Sequence, residues 1–96
     1  MSANFKRIKN ELRDKANHTV GKLVGNYVYD SHNYRHGAIN GMTIYDVHNN
    51  RIAKLDGIYI KDSHNSKIAT IKDVVDAIDG TTGSISDIAL WIFFVR

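Results

Sequence analysis

A chain of 96 residues, 43% hydrophobic and 24% charged, can bury about 60 to 65% of its unfolded surface, enough for one modest core and a single domain. It contains no cysteine and no proline, which excludes disulfide staples and cysteine-based zinc sites and suits a reducing, cytoplasmic compartment. The net charge of +3 sits in the first fifteen residues, where Lys6, Arg7, Lys9, Arg13 and Lys15 outnumber Glu11 and Asp14; the rest of the chain is neutral.

The N-terminus is charged where a signal peptide would place its apolar core, so secretion by that route is not expected. Phe5, Ile8 and Leu12 fall at helical spacing, and residues 3 to 10 are expected to form a helical turn. From residue 11 a repeat takes over. Asp-x-His-Asn occurs at Asp30–Asn33, Asp46–Asn49 and Asp62–Asn65, sixteen residues apart, and a degenerate copy upstream places Asp14, Asn17 and Gly21 in the same register. The units run over about 9–24, 25–40, 41–56 and 57–71.

Each unit reads as one β-hairpin. In Gly41-Met42-Thr43-Ile44-Tyr45-Asp46 a β-rich run ends in an Asp whose carboxylate can bond the amide two residues on and start a turn. Asn49 falls where a type I turn followed by a left-handed residue needs Gly or Asn. A three-residue loop of this kind is expected to set Tyr45 opposite Arg51, Ile44 opposite Ile52 and Thr43 opposite Ala53. The same register sets Tyr29 opposite Arg35, Lys61 opposite Lys67, Leu12 opposite Val20, Val28 opposite His36 and Ile60 opposite Ile68. Both faces then hold an apolar zone, and the sheet is expected to need cover on both sides or to close around an axis. The fold class is mainly β: one small domain of four tandem antiparallel hairpins with pseudo-four-fold repetition.

After residue 71 the register breaks. Val74, Val75 and Ile78 suit one face of a short helix over 72–79, stopped by Gly80. The chain ends in the apolar run Ile88–Val95, in the segment 84–96, with its only Trp. Such a run must be covered, against the sheet or in a homo-oligomer, and Trp91 is expected to be largely buried. Its helix or strand state stays open. No run reaches the roughly 18 apolar residues of a membrane span.

The succession Gly-x-x-Ile-Tyr-Asp-x-x-Asn-x-x-Ile-Ala over Gly41–Ala53, looser in its neighbours, resembles the short bacterial four-fold beta-flower family across roughly residues 9 to 71. Tyr45-Asp46-Val47-His48-Asn49-Asn50-Arg51 is also similar, more weakly, to the tyrosine-aspartate repeats of Rhs-type shells, which run to many dozens of copies. Against the flower pattern, Asn replaces the turn Gly, Lys61 replaces Tyr, and Arg13-Asp14 replaces the first Tyr-Asp pair. The resemblance implies a fold and no activity or catalytic residue.

Enzyme sites are asymmetric sets of residues, whereas the candidates here recur in equivalent surroundings, so no catalytic residue and no cofactor is expected. His32, His48 and His64 occupy solvent-facing tips, where a turn role is favoured over a metal ring and no metal site is assigned. The candidate binding residues are Tyr27, Tyr29, Arg35, Tyr45, Arg51, Tyr59 and Lys67, because aromatic faces beside cations stack rings and grip phosphates. Their structural alternative is that each Arg stacks on its Tyr and stiffens the sheet. Two functional readings stand: a non-enzymatic binding module for a small anionic ligand, nucleotide or glycan, and a self-assembling interaction protein joined through its apolar C-terminal segment, of the kind found among phage and mobile-element accessory proteins.

Overall fold

A computed structural model describes residues 4–96. Ten strands form one sheet: β1 (Phe5–Ile8), β2 (Glu11–Asp14), β3 (Thr19–Val24), β4 (Tyr27–Asp30), β5 (Arg35–Asn40), β6 (Thr43–Asp46), β7 (Arg51–Asp56), β8 (Tyr59–Asp62), β9 (Lys67–Thr70) and β10 (Ile78–Asp79). Strands β1 to β9 are an antiparallel meander in chain order, and β10 adds to the outer edge of β1 in parallel. Between β9 and β10 lies helix α1 (Ile71–Ala77), and after β10 comes α2 (Ile85–Leu90), which widens into a π-helical turn over Trp91–Val95, closed by the Arg96 amide donating to the Trp91 carbonyl.

Two kinds of turn alternate, and both follow from local chemistry. At the four tips, the Asp14, Asp30, Asp46 and Asp62 carboxylates each accept the backbone N–H groups two and four residues on, at 2.8–3.0 Å. Asn17, Asn33, Asn49 and Asn65 take φ of 66–68°, a left-handed conformation that Asn tolerates better than most residues. Between hairpins, two-residue turns begin at Gly25, Gly41 and Gly57 with φ of 60–65°, the Gly-first turn that matches strand twist. Lys9 holds the equivalent place at φ 56°. The helical turn expected for residues 3 to 10 is therefore replaced by strand β1 and this turn, with residue 3 outside the described residues. Pairing with β2 and β10 outweighs the helical spacing of Phe5 and Ile8.

The strand register departs from expectation one residue below each tip. Tyr29–Arg35, Tyr45–Arg51 and Lys61–Lys67 face each other as the loop dictates, but Val28, Ile44 and Ile60 pair with Gly37, Ala53 and Ala69, and Leu12 with Gly21. Val20, His36, Ile52 and Ile68, expected as partners, are instead the extra residues of four β-bulges. A bulge lets neighbours such as Ile52 and Ala53 turn toward the same side. Both pack in the one core, which also takes the fully buried Leu12, Val28, Ile44 and Ile60, one per hairpin.

The sheet curls until its edges nearly meet. Nine flat strands would set β1 and β9 about 38 Å apart, yet the seven residues of α1, about 10 Å of helix, carry the chain from the end of β9 to β10 at the edge of β1. The helix expected over 72–79 thus ends at Ala77, and Ile78–Asp79 is a strand, since Ile78 pairs with Phe5.

Of the two outcomes expected, the sheet takes the second, curling around an axis, and one face receives cover. Ile88, Ala89 and Leu90 of α2 are fully buried, so the apolar tail docks on its own sheet as a helix. The glycines make room: a Cβ on Gly21 would collide with the Phe94 ring, and one on Gly37 with the Phe93 ring and the Tyr45 carbonyl. The His36 ring meets Phe94 and Phe93 edge-on at centroid distances of 5.2 and 6.1 Å. Trp91, expected to be largely buried, is only half-buried, packed against the core rather than within it.

Candidate functional site

The uncovered face of the sheet carries the polar and aromatic side chains, and cross-strand pairing orders them into rows. One row is Ile8–Glu11–Lys22–Tyr29–Arg35. Sixteen residues on, the next is Val24–Tyr27–Ala38–Tyr45–Arg51. The third is Asn40–Thr43–Lys54–Lys61–Lys67, and a fourth begins Asp56–Tyr59–Thr70. The backbone repeats but the chemistry does not. Only the second row sets a small residue between two tyrosines, and only the third sets three lysines side by side.

Tyr27 and Tyr45 stand on strands two apart, with backbones about 10 Å from each other, over the floor made by Ala38. A flat ring stacked on both at about 3.5 Å needs the tyrosine rings about 7 Å apart, within reach of backbones about 10 Å apart once each side chain leans inward. A groove of about 500 Å³ occupies this place, lined by Asn26, Tyr27, Ala38, Ile39, Asn40, Tyr45 and Asn49. Tyr27 is 45% exposed. The Arg35 guanidinium carbon lies 5.2 Å from the Tyr27 ring centre, so this ring already carries a cation beside the groove, as the structural alternative expects.

The structure sorts the expected site residues unequally. Tyr27, Tyr45 and Arg51 share the slot row, Arg35 leans over it, and Tyr29 sits in the preceding row beside Lys22 and Arg35. Tyr59 and Lys67 form a separate pair, with the Lys67 ammonium 4.0 Å from the ring centre. Both cation–ring contacts are diagonal: Arg35 covers Tyr27 rather than Tyr29, and Lys67 covers Tyr59. The bulge also moves Gly37 to the covered face, so Tyr27 faces Ala38 instead. Ala38, Asn26 and Asn40 escaped sequence reasoning for this reason; once the bulge is placed, aligning the repeats by open-face row finds them.

His32, His48 and His64 stand exposed on separate tips, and among the described residues no three potential metal ligands gather. His36 differs, since its Nε2 lies 3.0 Å from Asp30 Oδ2. That bond lowers the Asp30 pKa below the ordinary carboxylate range, helped by the Tyr34 and His32 amides. Asp46 and Asp62 are lowered foremost by the Asn50 and Ser66 amides. Because these folded-state values lie below the unfolded value of about 3.9, the turns contribute stability that is fully present above that pH and lost as the pH falls through the folded values. The thermal midpoint is expected to be flat from about pH 5 to 7 with respect to these groups and to fall below about pH 4. Asp46→Asn should flatten that fall in a melting series; an unchanged acid limb would contradict the turn assignment.

Comparison of the chain with family models, curated proteins and solved structures finds no match.

Proposed function

We propose that the protein is a non-enzymatic binding module whose site is the slot between Tyr27 and Tyr45. The single observation that supports this reading is the asymmetry among the rows: four hairpins keep equivalent aliphatic residues in the core, yet one row alone combines Tyr, Ala and Tyr. A role confined to stiffening the sheet gives no reason for that difference. Stacking rings, the Asn26, Asn40 and Asn49 amides, and the guanidinium groups of Arg35 and Arg51 suit a flat, hydrogen-bonding ligand with an anionic group, of which a nucleotide is the simplest case. These groups hold a ligand without transferring a proton to it. The beta-flower resemblance supplies a fold for this reading and no activity, so the slot carries it.

Mononucleotide titration followed by the NMR signals of the tyrosine rings tests the reading. Tyr27→Ala, at an exposed position, is expected to weaken binding about fivefold or more, since one base–aromatic stack contributes roughly 1–3 kcal/mol. The melting midpoint should barely move. A nucleotide that binds the variant equally well would overturn the assignment.

A second reading, self-assembly, draws on a different observation. Strand β9 has one strand neighbour, and beside it Ile58, Thr70, Ile71, Lys72 and Val75 line an apolar groove of about 510 Å³. On this reading the contact between copies runs along β9 and α1, because the tail's central residues are already buried within the chain. Light scattering showing a monomer at high concentration would remove it.

A further inference from the structure

We infer that the open face is a track for single-stranded nucleic acid, with one base held between Tyr27 and Tyr45 and the neighbouring phosphates carried by Arg51, Lys54 and Lys67. This rests on the slot proposed above and extends it to a polymer.

Three observations point to it. First, the slot row and the lysine row adjoin: Arg51, which ends the slot row, and Lys54 lie on the same strand, and Lys54, Lys61 and Lys67 follow on β7, β8 and β9. Strand spacing of about 4.8 Å makes this a cationic path of about 10 Å leading away from the tyrosines. Second, the path is kept against a cost. Like charges directly opposite one another destabilise a sheet, and one carboxylate in the adjoining row, Asp56, sits among these ammonium groups, taking Lys61 at 2.7 Å. Polymer phosphates would relieve that repulsion and release their own counterions. Third, the slot demands an unstacked base, because a stacking site between two rings needs both base faces free. A duplex buries those faces, so the surface favours single strands over duplex of the same charge.

The test uses the full-length protein with fluorescently labelled twelve-residue oligo(dT) and oligo(rU), a duplex of equal length, inorganic polyphosphate as a base-free polyanion, and a mononucleotide. Single strands should bind at least tenfold more tightly than duplex, polyphosphate and mononucleotide. The DNA and RNA arms separate the source, because only RNA offers a 2′-hydroxyl. Three phosphate contacts predict a slope of about −2 for log K against log salt. Lys54→Ala together with Lys67→Ala should make that slope shallower by about 1.4, about 0.7 per lost contact, with mononucleotide binding unchanged. Tyr45→Ala should weaken single strands at least fivefold; Tyr45→Phe, which keeps the ring, should not, and melting curves confirm that each variant folds.

Equal affinity for polyphosphate or duplex would overturn the track, as would an unchanged salt slope in the lysine variant. Mononucleotide binding without a gain for oligomers would overturn the track while leaving the slot standing. No binding of either would overturn both.

Discussion

Removing residues 84–96 is expected to abolish cooperative folding. The tail buries Ile88 and Leu90 completely and Trp91, Ile92, Phe93 and Phe94 in part. Full burial of one such side chain contributes about 1.5–3 kcal/mol, so the segment supplies roughly 6–12 kcal/mol as an upper figure. A domain of this size has a total stability of only about 5–14 kcal/mol. The truncated chain would also expose Leu12, Val28, Ile44 and Ile60 to water on one face of a curled sheet. Circular dichroism and thermal melting of the purified truncation check this. A soluble fragment melting in one sharp transition would show that the hairpins stand without their cover.

Asp87→Ala is expected to lower the melting midpoint by about 12 °C or more. Asp87 is buried at the start of α2, where its Oδ2 accepts the backbone N–H groups of Thr82, Gly83 and Ser84 at 3.0–3.1 Å and its Oδ1 takes the Arg7 guanidinium. Burial alone would raise the carboxyl pKa, but the Arg7 bond and the amides outweigh it and hold the group below the ordinary range. Replacing it with alanine strands a cation and three amides together. Breaking a buried pair in this way costs about 3–5 kcal/mol, and each kcal/mol moves the midpoint of a domain this small by about 4–8 °C. A drop below about 5 °C would show that water replaces the carboxylate at little cost. The pair also joins the two ends of the chain, Arg7 on the first strand to Asp87 on the covering helix.

What the sequence made legible is what local chemistry decides. Asp starting a turn and Asn closing it three residues later placed all four hairpin tips, because both groups act on backbone within five residues. The bulges were not legible. Ile52 and Ala53 are both apolar, and either register keeps an apolar residue facing inward; the choice depends on what packs above, namely Phe93 and Phe94 in the equivalent positions of the first hairpins. Strand β1 was hidden because Phe5, Ile8 and Leu12 also fit a helix, its turn has Lys9 where the other copies have Gly, and its outer partner β10 lies across most of the chain. The tyrosines were legible as a class but not as a slot, because setting Tyr27 beside Ala38 needs the bulge. The Arg7–Asp87 pair left no pattern, since each residue alone reads as solvated surface charge.

Phe94 lies over Gly21 and Phe93 over Gly37, whereas the same positions in the later hairpins hold Ala53 and Ala69. This is a mismatch of symmetry: one helix cannot present the same contact to four equivalent partners, so a four-fold frame covered by a single element must lose its equivalence where the two meet. The difference follows the cover: glycine stands where a phenylalanine ring presses on the sheet, and alanine takes the equivalent positions in the later hairpins. It gives the ring an orientation, in which the first two hairpins hold the aromatic end of the tail and no hairpin can stand in for another.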